Sequence, residues 1–214
     1  MNKDIYNNDW INIDGNQIHK TAIIHKNVKL GKGNIIGPYC VIGSNGEIRG
    51  KEFNSFMGTV HIGNGNVISE HVTIQRPHEH GKSTIIGDNN LIMAHVHIGH
   101  DVYVGSNCEI CTSSVIGGYV TIYDNAKIKL NCTVRNRLII GASAIVGMGS
   151  VVTRSVSNFA VVYGNPAKEK ESEIELTLKK SDFFIPESIK MFVFWLAIIA
   201  GTFFGVVHLI DWLS

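Results

Sequence analysis

The chain has 214 residues, with 19 Lys and Arg against 18 Asp and Glu and a formal net charge of +1. That length suits one domain with its own core plus a small appendage, and the balanced charge offers no basic surplus for nucleic acid. The opening MNKDIYNNDW is polar and lacks the apolar run of a secretory signal, so residues 1–17 read as a lead-in.

From Ile18 an aliphatic residue recurs at every sixth position: Ile18, Ile24, Leu30, Ile36, Ile42, Ile48. The register breaks across Arg49–Val60 and resumes at Ile62, Ile68 and Ile74. It skips His80, then runs unbroken from Ile86 to Val152. Neither a helical period nor strand alternation gives this spacing. A triangular coil does, with three short strands and three turns in every eighteen residues and each aliphatic side chain pointing into a corner of the prism. The fourth residue after each aliphatic is often small or apolar (Ala22, Cys40, Val72, Val96, Cys108, Ala126, Cys132, Ala144). Three of the four cysteines fall there, as buried thiols rather than disulfides, which points to a reducing, cytoplasmic setting. Glycine often follows the aliphatic, where turns need positive φ. Two stretches leave the pattern as loops: Arg49–Thr59 breaks register, and Gln75–Ser83 keeps it but is too polar for a strand face.

The repeat ends at Lys168, and residues 169–190 form a charged linker. From Met191 to Val207 no residue is charged, and the apolar run reaches Ile210. About 20 helical residues cross a bilayer's hydrocarbon core, so residues 191–210 read as a transmembrane helix. Lys179, Lys180 and Lys190 before it and Asp211 after it place the repeat domain on the cytoplasmic side.

Chemistry concentrates in LIMAHVHIGHD, which holds His95, His97 and His100. Imidazole titrates near neutrality and serves as a general base. One coil beyond His100 stands Gly118, in IGGYV. A residue without a side chain there leaves room for a substrate group, and its N–H can face a developing oxyanion. The alternative is that these histidines are polar surface residues of a coil.

The segments VTIQRP, DNNLIMAHVHIGHDVYVG and VIGGYVTIYDNAKI resemble the UDP-N-acetylglucosamine acyltransferases of lipid A synthesis and, less closely, bacterial sugar acetyltransferases. Over residues 18–168 the resemblance implies an all-β, left-handed parallel β-helix of hexapeptide repeats, an exception to right-handed crossover. To this the sequence adds the C-terminal helical extension and transmembrane helix. It also implies a homotrimer with active sites between subunits. His100 becomes the general base, Gly118 the oxyanion donor, and His97, with His95, a substrate contact; Asp101 would orient His100, although strand neighbours tend to face opposite ways. No cofactor is implied; the donor is acyl-CoA or acyl carrier protein, and the acceptor a hydroxyl or amine of a sugar or nucleotide sugar. Tyr119 stands where the family has a further histidine, and Arg135-Asn136 where it has a His-Gln pair on the sugar nucleotide. Gly164, Asn165, Pro166, Ala167 and Lys168 resemble the closing motif of coenzyme A-dependent acetyltransferases. Met148 occupies the chain-length position and suggests a short acyl group. Two other readings compete. One is a zinc enzyme like the γ-type carbonic anhydrases, using His95 and His100, although Thr59 stands near the place of the third histidine ligand. The other is a membrane-tethered trimeric scaffold without turnover.

Overall fold

The computed structural model describes residues 9–52, 55 and 57–170. The expected transmembrane run 191–210 and nearly all of the charged linker lie outside the described residues, among which no helix is long and apolar enough to cross a membrane.

The described chain winds as a three-sided parallel β-helix. Its three sheets have ten, seven and six strands, and each strand of the stack pairs with the strand one coil away rather than with its neighbour in sequence. Along the regular stretch the strands are two residues long, and the expected aliphatic is the last residue of each. Ile98 pairs with Ile116, Val104 with Ile122, and Ile110 with Ile128. These side chains are almost completely buried and stack in columns up the prism. β-branched side chains suit this packing because they are stiff and fill a pleated surface.

The turns work differently from the expectation. Most glycines that follow an aliphatic have ordinary φ; what they lack room for is a side chain. A Cβ on Gly117 would lie 2.6 Å from the Asn136 nitrogen in the next coil. Left-handed backbone falls two residues further on, and mostly on residues other than glycine. Asp101, Asn107, Tyr119 and Arg137 have φ between 58° and 63°. Each turn is also laddered: the Tyr119 N–H donates to the His100 carbonyl at 2.9 Å, and the Asn107 N–H to the Asp88 carbonyl at 2.9 Å. Those bonds hold a conformation that such residues rarely adopt alone.

One core column is polar. Asn16, Asn34, Asn66 and Asn90 occupy the position expected to be small or apolar, and all are buried. The Asn34 side-chain amide donates to Asn16 Oδ1 at 2.9 Å, that of Asn66 to Asn34 Oδ1 at 3.0 Å, and that of Asn90 to Asn66 Oδ1 at 3.0 Å. The ladder ends where Asn90 Oδ1 accepts from the Cys108 N–H. All four cysteines are buried free thiols, and burial pushes the pKa of Cys40 and of Cys108 up to about 11.

Ile48 is not a core position, contrary to its hexad register. The backbone leaves the coil at Gly43, whose φ is +87°, and the pairing shifts between Ile42 and Ser44. Leu30 is therefore followed in its sheet by Ile62. The second loop preserves register because one whole hexad bulges out: Ile74 pairs directly with Ile98. Both ends of the largest sheet close in antiparallel hairpins, Trp10–Ile13 with Asn16–His19 and Val161–Gly164 with Ala167–Glu169. The lead-in is thus partly in the sheet, and the last strand runs past the expected boundary at Lys168. Neither hairpin leaves a parallel strand as the outermost edge of that sheet.

Candidate active site

His100 follows the strand His97–Ile98, on the turn that carries the chain into the next face. Its Nδ1 lies 2.8 Å from Asp101 Oδ2, and both side chains are largely buried, at 13% and 14% exposure. Strand alternation alone would set these neighbours on opposite sides. The left-handed φ of +58° at Asp101 ends the alternation and swings its carboxylate onto the ring. A carboxylate only accepts, so in the neutral imidazole this contact puts the proton on Nδ1 and leaves Nε2 as the acceptor.

Gly118 sits one coil on, but the space it leaves is not substrate space. A Cβ there would lie 2.8 Å from His100 Nε2 and 2.9 Å from Cε1, so the imidazole itself fills it. The Gly118 nitrogen passes over Gly99, where a Cβ would come within 2.7 Å of it. Its N–H bonds to no acceptor among the described residues. Gly46, on the way into the first excursion, also lies against this side chain, with its Cβ position 2.8 Å from His100 Cβ and 2.9 Å from Cγ. Glycine at 46 and at 118 thus makes the space that the imidazole occupies.

Tyr119 meets His100 edge-on, with ring centroids 4.9 Å apart and planes at 89°. Arg137 lies 4.1 Å over the Tyr119 ring, a cation–π contact. His97 Nδ1 lies 2.8 Å from Thr73 Oγ1. Burial holds the His97 imidazole below its ordinary value, Glu47 works against that, and the proximity of His100 adds to it. His97 therefore stays neutral at physiological pH.

The two loops form a single wall. Ser55 Oγ lies 2.9 Å from His78 Nε2, and the Met57 and Gly58 N–H groups donate to the His78 and Pro77 carbonyls. Beneath it lies a cleft of about 400 Å³, lined by Ile48 and Lys51 of the first loop, His78, Glu79 and Lys82 of the second, and Asp101 and Tyr119 of the coil.

Other expected site residues lie elsewhere within one chain. His95 precedes the strand and stacks on His71, with centroids 4.7 Å apart and planes at 4°, while Tyr39 extends the stack. Met148 is 69% exposed on the same turn column as the residue before His95, not beside His100. Gly164–Lys168 form the tip and return strand of the terminal hairpin. Arg135 and Asn136 are exposed on the His100 corner one coil past Gly118, and the Asn136 backbone covers Gly117. Of the pair proposed for zinc, His95 stacks on His71 and His100 bonds Asp101, and no group of three or more His, Cys, Asp or Glu among the described residues is arranged to hold a metal. Sequence reasoning missed Arg137, Thr73 and Glu47. Arg137 was within reach, because it lies one eighteen-residue step beyond Tyr119.

Fold and repeat together define a hexapeptide-repeat parallel β-helix. The bacterial transferase hexapeptide (six repeats) family matches residues 83–118, the stretch from the second loop to Gly118. A curated relative, the acyl-[acyl-carrier-protein]–UDP-N-acetylglucosamine O-acyltransferase of Thermodesulfovibrio yellowstonii, is 38% identical over 71 residues, which is 33% of this chain and 22% of that protein. The chain thus matches about a fifth of that relative's length. Among solved structures, the UDP-N-acetylglucosamine acyltransferase of Bacteroides fragilis is similar at 27% identity and TM-score 0.70, covering 86% of this chain and 71% of that one. The Arabidopsis UDP-N-acetylglucosamine acyltransferase is 26% identical with TM-score 0.56, covering 87% and 84%. The resemblance seen in the sequence is thus found again in both sequence and fold comparisons.

Proposed function

We propose that this protein is an acyltransferase that moves an acyl group from a thioester to a hydroxyl or amine of a sugar or nucleotide sugar. The observation that carries the proposal is the His100–Asp101 bond at 2.8 Å, which leaves Nε2 as a base beside Gly118. In the reaction His100 Nε2 takes the proton of the acceptor as its oxygen or nitrogen attacks the thioester carbonyl. The Gly118 N–H stabilises the tetrahedral oxyanion. The C–S bond then breaks, and the imidazolium returns its proton to the leaving thiolate. Asp101 holds the imidazolium and its tautomer, and neutral His97 lines the approach.

The donor is acyl-coenzyme A or acyl carrier protein, with the terminal Gly164–Lys168 hairpin as a carrier contact and Met148 limiting the acyl chain. His95, Arg135 and Asn136 are then substrate contacts completed by a neighbouring subunit of a homotrimer. The apolar run 191–210 tethers the enzyme to the cytoplasmic face of a membrane, in envelope glycolipid or polysaccharide synthesis.

The test is thiol release from acyl-coenzymes A of graded length and from acyl carrier protein, with UDP-sugars and UDP-amino sugars as acceptors. Wild type is expected to release thiol only with an acceptor present, and His100→Ala to lose at least about 10²-fold in rate. No thiol release by wild type with any acceptor, from either donor type, refutes acyl transfer; an undiminished His100→Ala refutes His100 as the base.

A further inference from the structure

The buried hydroxyl of Thr84 lies directly behind the His100–Asp101 pair. Thr84 is fully buried in an aliphatic column, two residues before the core position of its sheet, where the other coils place Val60, Val102 and Val120. A valine would fill that place equally well, so the hydroxyl needs a reason. It makes two bonds: Thr84 Oγ1 donates to the Gln75 carbonyl at 2.7 Å and accepts the Asp101 N–H at 3.0 Å.

The second bond replaces one that most of the helix takes from the backbone. At most other left-handed turns the N–H donates to a carbonyl in the preceding coil (Tyr119 to His100, Arg137 to Gly118, His95 to Glu70), whereas Tyr39 donates to the exposed hydroxyl of Thr21. The coil below Asp101 is the one interrupted by residues 77–82, and there the acceptor is the Thr84 hydroxyl. Without it, the Asp101 N–H would have no acceptor on that side, and a left-handed aspartate would lose what holds it. The φ of +58° at Asp101 is also what brings its carboxylate onto His100 Nδ1.

We infer that Thr84 is a positioning residue for the base: its hydroxyl locks the left-handed turn at Asp101 and so fixes the His100 tautomer with Nε2 bare. The consequence for turnover rests on His100 being the base, but the positioning itself does not. The same hydroxyl is bonded to Gln75, at the root of the second loop, so the loop that walls the cleft and the pair that performs the chemistry share one anchor.

The test uses the full chain with nitrogen-labelled histidine and long-range nitrogen–proton correlation spectra, His100 being assigned by its loss in His100→Ala. In mildly alkaline buffer wild type is expected to show His100 protonated on Nδ1. Thr84→Val should shift that signal toward the Nε2-protonated form and lower kcat by up to about 10²-fold, with KM little changed. Thr84→Ser, which keeps the hydroxyl, should restore both. Thr84→Ala reads the same signal if valine fails to pack. A wild-type His100 tautomer in both variants lacking the hydroxyl overturns the inference. A tautomer shift in an enzyme that releases no thiol with any acceptor upholds Thr84 and removes the acyltransferase reading instead.

Discussion

Replacing Asn66 with alanine tests whether the buried asparagine column holds the coils in register. Asn66 is fully buried, and its Oδ1 accepts both the backbone N–H and the side-chain amide of Asn90, at 2.9 and 3.0 Å. Its own amide donates to Asn34 Oδ1 and the Gly87 carbonyl. Alanine removes all of these and leaves two buried donors of Asn90 without their acceptor, although the Asn90 amide keeps its bond to the Gly105 carbonyl. Each orphaned buried group costs about 1–3 kcal/mol, so Asn66→Ala is expected to lose about 3–5 kcal/mol. Because the bond from the Asn90 amide to Asn66 Oδ1 is lost in either single variant, the double alanine variant should lose about 1 kcal/mol less than the sum of the singles. Urea unfolding followed by circular dichroism, at one protein concentration because self-association would shift the midpoint, measures both quantities. A loss below about 1 kcal/mol for Asn66→Ala, or strict additivity, would show that the column is filler rather than a hydrogen-bonded spine.

Gly118→Ala puts a methyl 2.8 Å from His100 Nε2; ordinary contact requires the ring to withdraw by about 0.7 Å. The φ at Gly118 is not left-handed, so the fold should survive while kcat falls by up to about 10²-fold; unchanged turnover would mean that Nε2 is not the reacting atom. His97 supplies a pH signature. Its folded pKa lies below the ordinary 6.5 because of burial, so the unfolded chain binds the proton more readily. Stability is then full above the unfolded value and falls as pH drops through it, levelling once the folded value is passed. The melting temperature of wild type should therefore decline more from neutral to mildly acidic pH than that of His97→Asn; parallel curves would contradict the assignment.

The aliphatic repeat was legible because one physical requirement, a buried side chain at the end of each rung, recurs at fixed spacing. The same regularity misled at Ile48, where the letters keep the period after the backbone has left the coil at Gly43. It also misled at Asp101: alternation along a strand says that neighbours diverge, and nothing in the letters marks that the strand stops at Ile98 and the turn becomes left-handed at Asp101. The asparagine column was hidden for a related reason. Asparagine reads as a turn residue, and only the stacking of one amide over another makes it a core residue.

The parts of the site that sequence did not reveal depend chiefly on the two departures from the repeat. In a perfect helix the residue below His100 would be another turn of the ladder, and the Asp101 N–H would have a backbone acceptor like its counterparts. The bulged hexad at residues 77–82 removes that acceptor and makes the buried hydroxyl of Thr84 necessary. The first excursion brings Gly46 against the imidazole and Ile48 and Lys51 to the cleft. Eighteen-residue stepping finds Gly118 and would find Arg137, because both lie in the unbroken part of the stack. It does not reveal Thr84, whose counterpart one coil on is Val102 rather than Asp101. Across the two insertions eighteen residues no longer make one coil, so the step loses its meaning between Gly46 and His100. The regular coils supply a rigid place for the histidine; Gly46 and the Thr84 anchor come from where the coil is broken.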